Sequence, residues 1–391
     1  MLNANLLVQN NKTKAQGKIK MRRQMRDYFY SSSCGQIDLF EIGRVISFIE
    51  TVRKQHALHL IPIRINLGNR AFADKLSYIL YESLLHYLIE KERCPIETVF
   101  NCPHNIFNEG IKHSCLVYSG IDRSGRRLFI EKYPKDTAKT HFRRIVKKED
   151  GDDYLSLVAQ DIDSFLKHTG ITEECRDYVR KVAEELIDNA LDHGDSECLF
   201  DMDITKEYFK QDKVVEEESY VGVNIVVMNY SSILLGDLLR GKMESLVLTD
   251  NPVYERYQKI SEAYEYHSKF LNNDYTEDDF YCIASFQHKI SGRMRSVTGG
   301  TGLTKLIEAL ENKSDSYYCY CITGTRMLRF FKDCLNHSAD DWVGFNSEDN
   351  FLTALPDKKC LGEIPFFFPG TAYNLNFVLK KEDLTDERTE N

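Results

Sequence analysis

Tryptophan occurs once and proline eight times in 391 residues, and no apolar run is long enough for a membrane-crossing helix. The first residues carry no apolar stretch of the signal-peptide kind, so the expected location is the cytoplasm, with no membrane partner. No CxxC, HExxH or GxSxG occurs, which removes the common zinc, dithiol-redox and serine-hydrolase signatures. Interleaved aromatic and basic residues of the RNA-binding type are also missing. The eleven cysteines are scattered and odd in number, and Cys319 and Cys321 stand one residue apart, a pattern that reads as reduced thiols. Cys102, His104, His113 and Cys115 could supply four zinc ligands, but their spacing is unusual and such scatter arises readily by chance.

What is present reads as globular: 42% hydrophobic and 28% charged residues. A net charge of −9 argues against nucleic acid binding over the whole surface. The charge is uneven, because residues 1–26 hold Lys12, Lys14, Lys18, Lys20, Arg22, Arg23 and Arg26 with no acidic residue. Residues 1–30 therefore read as a basic flexible tail, the one place where phosphate or nucleic acid contact is expected.

The length suits two domains. Residues 31–135 read as a small α/β or α+β domain. Apolar residues at helical spacing (Leu39, Ile42, Val45, Ile46, Ile49, Val52) predict a helix over 37–55, followed by a strand at 61–67 and a second helix over 74–92. Strands are expected at 115–120 and 127–133, joined by a hairpin turn at 122–125. The polar stretch 136–153 reads as a linker. Beyond it, helices at 154–168 and 173–193 precede strands near 197–204 and 220–229. A long polar insertion at about 237–298, mostly helical, leads to a helix at 303–312. Strands follow near 317–323, 326–331 and 371–380, with Thr323-Gly324-Thr325 as a hairpin and 383–391 as a tail. Helices preceding strands that can pair into one mixed sheet describe a two-layer α/β sandwich over 154–382.

One helix concentrates the chemistry. In the run from Val182 to Gly194, the residues Val182, Leu186, Ala190 and Leu191 make an apolar stripe, and Glu185 and Asn189 lie one turn apart on one flank. An amide oxygen is a hard ligand suited to magnesium, and a carboxylate one turn away can orient or deprotonate water. Gly194 ends the helix where a left-handed cap is expected. An apolar strand over 221–229 runs into a polar turn at Ser231, and Thr298-Gly299-Gly300-Thr301-Gly302-Leu303 is a glycine turn opening a helix, a place where backbone N–H groups can meet phosphate. Last, Pro369-Gly370-Thr371 starts a strand in which Tyr373, Leu375, Phe377 and Leu379 alternate.

These four elements resemble, in order, the N box, G1 box, G2 box and closing strand of GHKL nucleotide-binding proteins, the superfamily of gyrase, heat-shock chaperone, histidine kinase and mismatch-repair ATPases. The G1 segment departs from the usual D-x-G-x-G, with Asn229 where the aspartate belongs. The resemblance implies a Bergerat-type sandwich, its mixed sheet carrying helices on one face, which binds ATP and Mg2+. It makes Glu185 the general base and Asn189 the magnesium ligand. His193, Asn229, Gly299, Gly300, Thr301, Gly302, Leu303 and Thr371 fall at nucleotide-binding positions. The insertion would act as a mobile lid whose cations, His288, Lys289, Arg293 and Arg295, approach the γ-phosphate. The start of the N-terminal domain resembles STAS-like modules in its topology. The implied activity is a slow ATPase acting as a conformational switch on another protein or a second copy of the chain. A serine or histidine protein kinase and a nucleotide sensor without catalysis are the alternatives.

Overall fold

Along one 19-residue strand, Leu361–Leu379, Ala372 and the Asn374 and Asn376 side chains point to one side while Tyr373, Leu375 and Phe377 point to the other. This alternation organises the molecule. The structure, a computed structural model, describes residues 4–10, 21–22, 27–32, 35–100, 123–147, 153–194, 196–208, 220–245, 254–290, 302–315 and 318–384. The chain is of the mixed α/β class.

A short helix α1 (Asn5–Asn10) precedes β1 (Met21–Arg22), β2 (Asp27–Ser31), α2 (Leu39–Gln55), β3 (Ile63–Gly68), α3 (Lys75–Glu90) and β4 (Ile96–Phe100). The side chains of Asp38 and Asp74 accept from the N–H groups of Glu41 and Ser77, fixing where α2 and α3 begin. Strands β2, β3 and β4 run parallel, as crossover helices require, and β1 adds an antiparallel edge.

Then come α4 (Arg123–Lys132), β5 (Lys135–Thr137), β6 (His141–Val146), α5 (Tyr154–His168), α6 (Glu173–His193), β7 (Cys198–Tyr208) and β8 (Tyr220–Tyr230). The chain continues through α7 (Asp237–Ser245), α8 (Glu255–His267), α9 (Glu277–Ala284), α10 (Gly302–Lys313), β9 (Tyr320–Arg329) and the long strand already named, β10. Strands β5 to β10 form one sheet in the order β5-β6-β7-β8-β10-β9.

Both faces of this sheet are buried. Phe200, Met202, Val223, Ile225, Val227, Leu375 and Phe377 pack under α5, α6 and α10. Leu199, Val226, Met228, Tyr230, Phe366, Phe368 and Ala372 join a second core with α2 and α3. Helix α3 is buried from Lys75 to Ile89 because it lies between the two sheets. The order of layers is therefore helices, six-stranded sheet, helices, four-stranded sheet. Two expectations are corrected: every pairing within the six-stranded sheet is antiparallel rather than mixed, and helices cover both of its faces rather than one.

Other differences have local causes. The strand expected at 127–133 lies in α4, where Phe129 and Tyr133 sit one turn apart against His86 and Arg127 pairs with Glu131 at 2.7 Å. Its expected partner at 115–120 is outside the described residues, as are Cys102, His104, His113 and Cys115. The expected linker holds β5 and β6, because the charges of His141 and Arg143 are buried against acidic partners on other elements. Thr323-Gly324-Thr325 is no hairpin but part of β9, with Gly324 at φ 56° beside an irregularity in the pairing with β10. The described part of the expected lid is packed into the core. Phe280, Ile283 and Ala284 are buried, His267 Nε2 lies 2.8 Å from the Phe351 carbonyl oxygen, and the Gln287 amide bonds both the N–H and the carbonyl of Val343. Among the described residues all eight cysteines are free and buried, and no helix is long and apolar enough to cross a membrane.

Candidate functional site between α6 and α10

Helix α6 forms because Val179, Val182, Ala183, Leu186, Ile187 and Leu191 line one buried face, with Glu173 and Glu174 in its first turn suiting the positive end of the helix dipole. Gly194 ends the helix at φ −88°, ψ 162°, an extended conformation and not the left-handed one expected. Glycine is required there for space: a Cβ would fall on the Asn229 side-chain amide and the Ala190 carbonyl oxygen.

Beside the apolar stripe sits Glu185. Both its carboxyl oxygens are buried, and the donors nearest to them are the backbone N–H groups of Thr304 and Lys305 in the first turn of α10. Burial pushes its pKa up to about 8. The backbone N–H groups of Lys305 and Thr304 and the Lys305 charge pull it partly back, while Glu308 pushes it further up. All four of those influences come from α10, so the helix that begins at Gly302 lies directly beside the helix that carries Glu185. Asn189, one turn on, is half-buried and makes no side-chain hydrogen bond among the described residues.

Gly302 is the first residue of α10 and Leu303 is a core residue beneath it. Gly299, Gly300, Thr301, Arg293 and Arg295 lie outside the described residues, as does the side chain of His193. His288 reaches the same helix start, its Nδ1 3.3 Å from Thr304 Oγ1, and burial lowers its pKa. Lys289, next to it, has a positive φ of 57°.

Asn229, at the end of β8, is buried and used by the fold. Its Nδ2 donates to the Ala190 carbonyl at 3.2 Å and its Oδ1 accepts from the Thr371 N–H at 3.2 Å. It therefore ties the last turn of α6 to β10. Thr371 enters the junction through its backbone. The sequence reading missed two residues here. Gly370, at φ 102°, leaves room for the Asn229 carbonyl, and Thr323 Oγ1 donates to the Gly370 carbonyl at 2.8 Å and accepts from the Leu235 N–H at 3.0 Å. The Pro369-Gly370 pair was a visible turn signal, whereas Thr323-Gly324-Thr325 reads as a hairpin, which hid the bonds of Thr323 to Gly370 and Leu235.

Also unforeseen is a cluster of buried charges on the opposite face of the sheet. Lys75 of α3 lies 2.6 Å from Asp201 and also pairs with Asp203, while Arg143 bridges Asp201 and Glu82. His141 sits between Asp201 at 3.0 Å and Asp136 at 3.4 Å. Burial alone would raise the Asp201 pKa, but Arg143, Lys75 and His141 together hold it well below the usual carboxylate range. Burial likewise opposes a charged His141, and Asp201 and Asp136 outweigh it, so that its pKa is raised.

Comparison of the chain with protein-family models, with curated proteins and with solved structures returns no match.

Proposed function

We propose that the chain binds ATP with Mg2+ between α6 and the start of α10, in the manner of GHKL proteins, and hydrolyses it slowly as a conformational switch on a partner protein or a second copy of itself. The observation that supports this reading is the Glu185 carboxyl, buried against the first turn of α10 and compensated there too weakly to offset its burial. A carboxyl buried beyond what its neighbours compensate costs stability, and such costs concentrate at sites of chemistry. A pKa near 8 is close to the working pH that suits a general base. Asn189 offers a neutral oxygen one turn away, fitting a hard cation held mostly by phosphates and water. The start of α10 is the natural rest for the phosphates, which would share its first-turn N–H groups with the Glu185 carboxyl.

Asn229 does not fit the family pattern simply, because both ends of its amide already bond the protein. Only its second lone pair and second hydrogen remain for a base. Incubation with γ-labelled ATP and Mg2+ tests the proposal. Release of labelled phosphate supports the switch, label on protein supports a kinase, and retained binding with neither supports a sensor. Asn189→Ala is expected to abolish Mg2+-dependent ATP binding, measured by thermal shift. Glu185→Ala is expected to keep binding and lose turnover by about 10²–10⁴-fold. Unchanged melting with ATP and Mg2+ in the parent chain rejects the nucleotide reading.

A further inference from the structure

Apart from those residues, the end of α8, the segment 270–275 and the loop residues 348 and 353–358 line a cavity of about 710 Å³ with the start of β10 and Arg326 of β9. That volume lies within the range of pockets that take small organic ligands. One wall is aromatic. Tyr266 and Phe270 lie 5.3 Å apart, with Tyr275 beside them, and Phe270 remains 43% exposed although the protein buries most of its large aromatics. Leu355, 36% exposed, stands at the same cavity. Apolar side chains left open around a concavity are what a ligand with an apolar body would cover.

The charge of the lining decides the rest of the ligand. Arg326 faces the cavity, but its guanidinium pairs with the buried Asp279 at 2.8 Å and donates to the Asp274 carbonyl, so its charge is cancelled from behind. Lys358 then stands against the carboxylates of Asp274, Glu348, Asp357 and Glu363. Glu348 and Glu363 form no ion pair among the described residues. The cavity thus combines an excess of negative charge with an aromatic wall, the pairing that attracts organic cations through Coulomb and cation–π forces together.

We propose that this cavity binds an organic cation, a guanidinium or ammonium group on an alkyl stem, supplied either as a free small molecule or as a basic side chain of a peptide. None of the residues assigned to nucleotide binding takes part, so the two proposals stand or fall separately.

Calorimetric titration of the full chain with agmatine, with a short arginine-containing peptide and with glutarate as an anionic control tests it. Saturable binding of a cation, weakened by added salt, is expected, with glutarate inert. Binding of agmatine alone identifies a small-molecule site, and binding of the peptide with little affinity for agmatine identifies side-chain capture. The double variant Glu348→Gln/Glu363→Gln should weaken cation binding roughly tenfold or more and Phe270→Ala by a comparable factor. Glu348 and Glu363 are exposed, so the melting temperature of the unliganded double Gln variant should not move, whereas Phe270→Ala loses its contact with Tyr266 and should melt slightly earlier. Absence of saturable binding by both cations, equal binding of glutarate, or full binding by the double Gln variant would overturn the proposal.

Discussion

On one face of the six-stranded sheet Asp201 lies among Arg143, Lys75 and His141 and is held ionised; on the other, Glu185 lies buried beside the first turn of α10 with its pKa near 8. Both are carboxyls in the interior of one protein. They differ in how fully the fold compensates them: Asp201 has three cations against it, whereas the Lys305 charge and two backbone N–H groups at Glu185 are outweighed by burial. Where compensation is full, the group belongs to the architecture, here joining α3 to β6 and β7. Where it falls short, the fold tolerates a cost that stability alone would remove, which is why Glu185 and not Asp201 is the candidate for chemistry.

The comparison breaks most directly at Arg143. Replacing it by methionine leaves Glu82 and Asp201 buried with less counter-charge, and the expected loss is about 3–5 kcal/mol in urea unfolding. A loss under about 1 kcal/mol would mean that the network is dispensable and that the two faces do not differ as argued.

Glu185 sharpens the contrast in the opposite direction. Its folded-state pKa is raised from 4.5 to about 8, so the folded state holds the proton more tightly than the unfolded chain. Its contribution is most favourable below the ordinary carboxyl range and is lost as pH rises towards 8, at a slope of up to about 1.4 kcal/mol per pH unit. Glu185→Gln should remove that slope, leaving the protein more stable than the parent at pH 8 by about 1–4 kcal/mol while phosphate release disappears. Turnover by the parent should rise with pH and level off near 8, as a base that must lose its proton requires. Denaturant melts at pH 5 and pH 8 give the stability arm. Parallel curves for parent and variant would mean that the carboxyl is solvated.

The smallest effect is expected at Gly194. Alanine there pushes into the Asn229 amide and the Ala190 carbonyl oxygen, separating α6 from β8 at a cost of about 1–3 kcal/mol. The melting temperature reports the cost, and a second variant, Gly241→Ala, whose added methyl meets no neighbour, serves as the control.

Much of this was legible in the sequence wherever periodicity and caps coincide. The helices 154–168 and 173–193 were readable from spacing alone, and the same spacing put Glu185 and Asn189 on one flank. The strands carrying His141 and Arg143 were not, because a strand whose inward residues are charged looks like a linker until Asp201 and Glu82, about 60 residues away, are seen to meet it. The bonds of Asn229 were not legible, since they go to the backbone of Ala190 and Thr371, which no side-chain pattern encodes. The insertion misled for a related reason: its polar composition hides the fact that Phe351 and Phe345 come from a later loop to pack with its Phe280 and Phe286, with Trp342 stacked behind Phe351.

The shared core has a practical consequence. Because α2 and α3 cover the same surface of Leu199, Val226, Met228, Tyr230, Phe368 and Ala372 that any isolated C-terminal half would turn to water, a chain cut near residue 153 would expose a broad greasy sheet and leave Asp201 and Asp203 without Lys75. The front half is thus a fixed wall of the molecule, and the six-stranded sheet cannot part from it without opening this core.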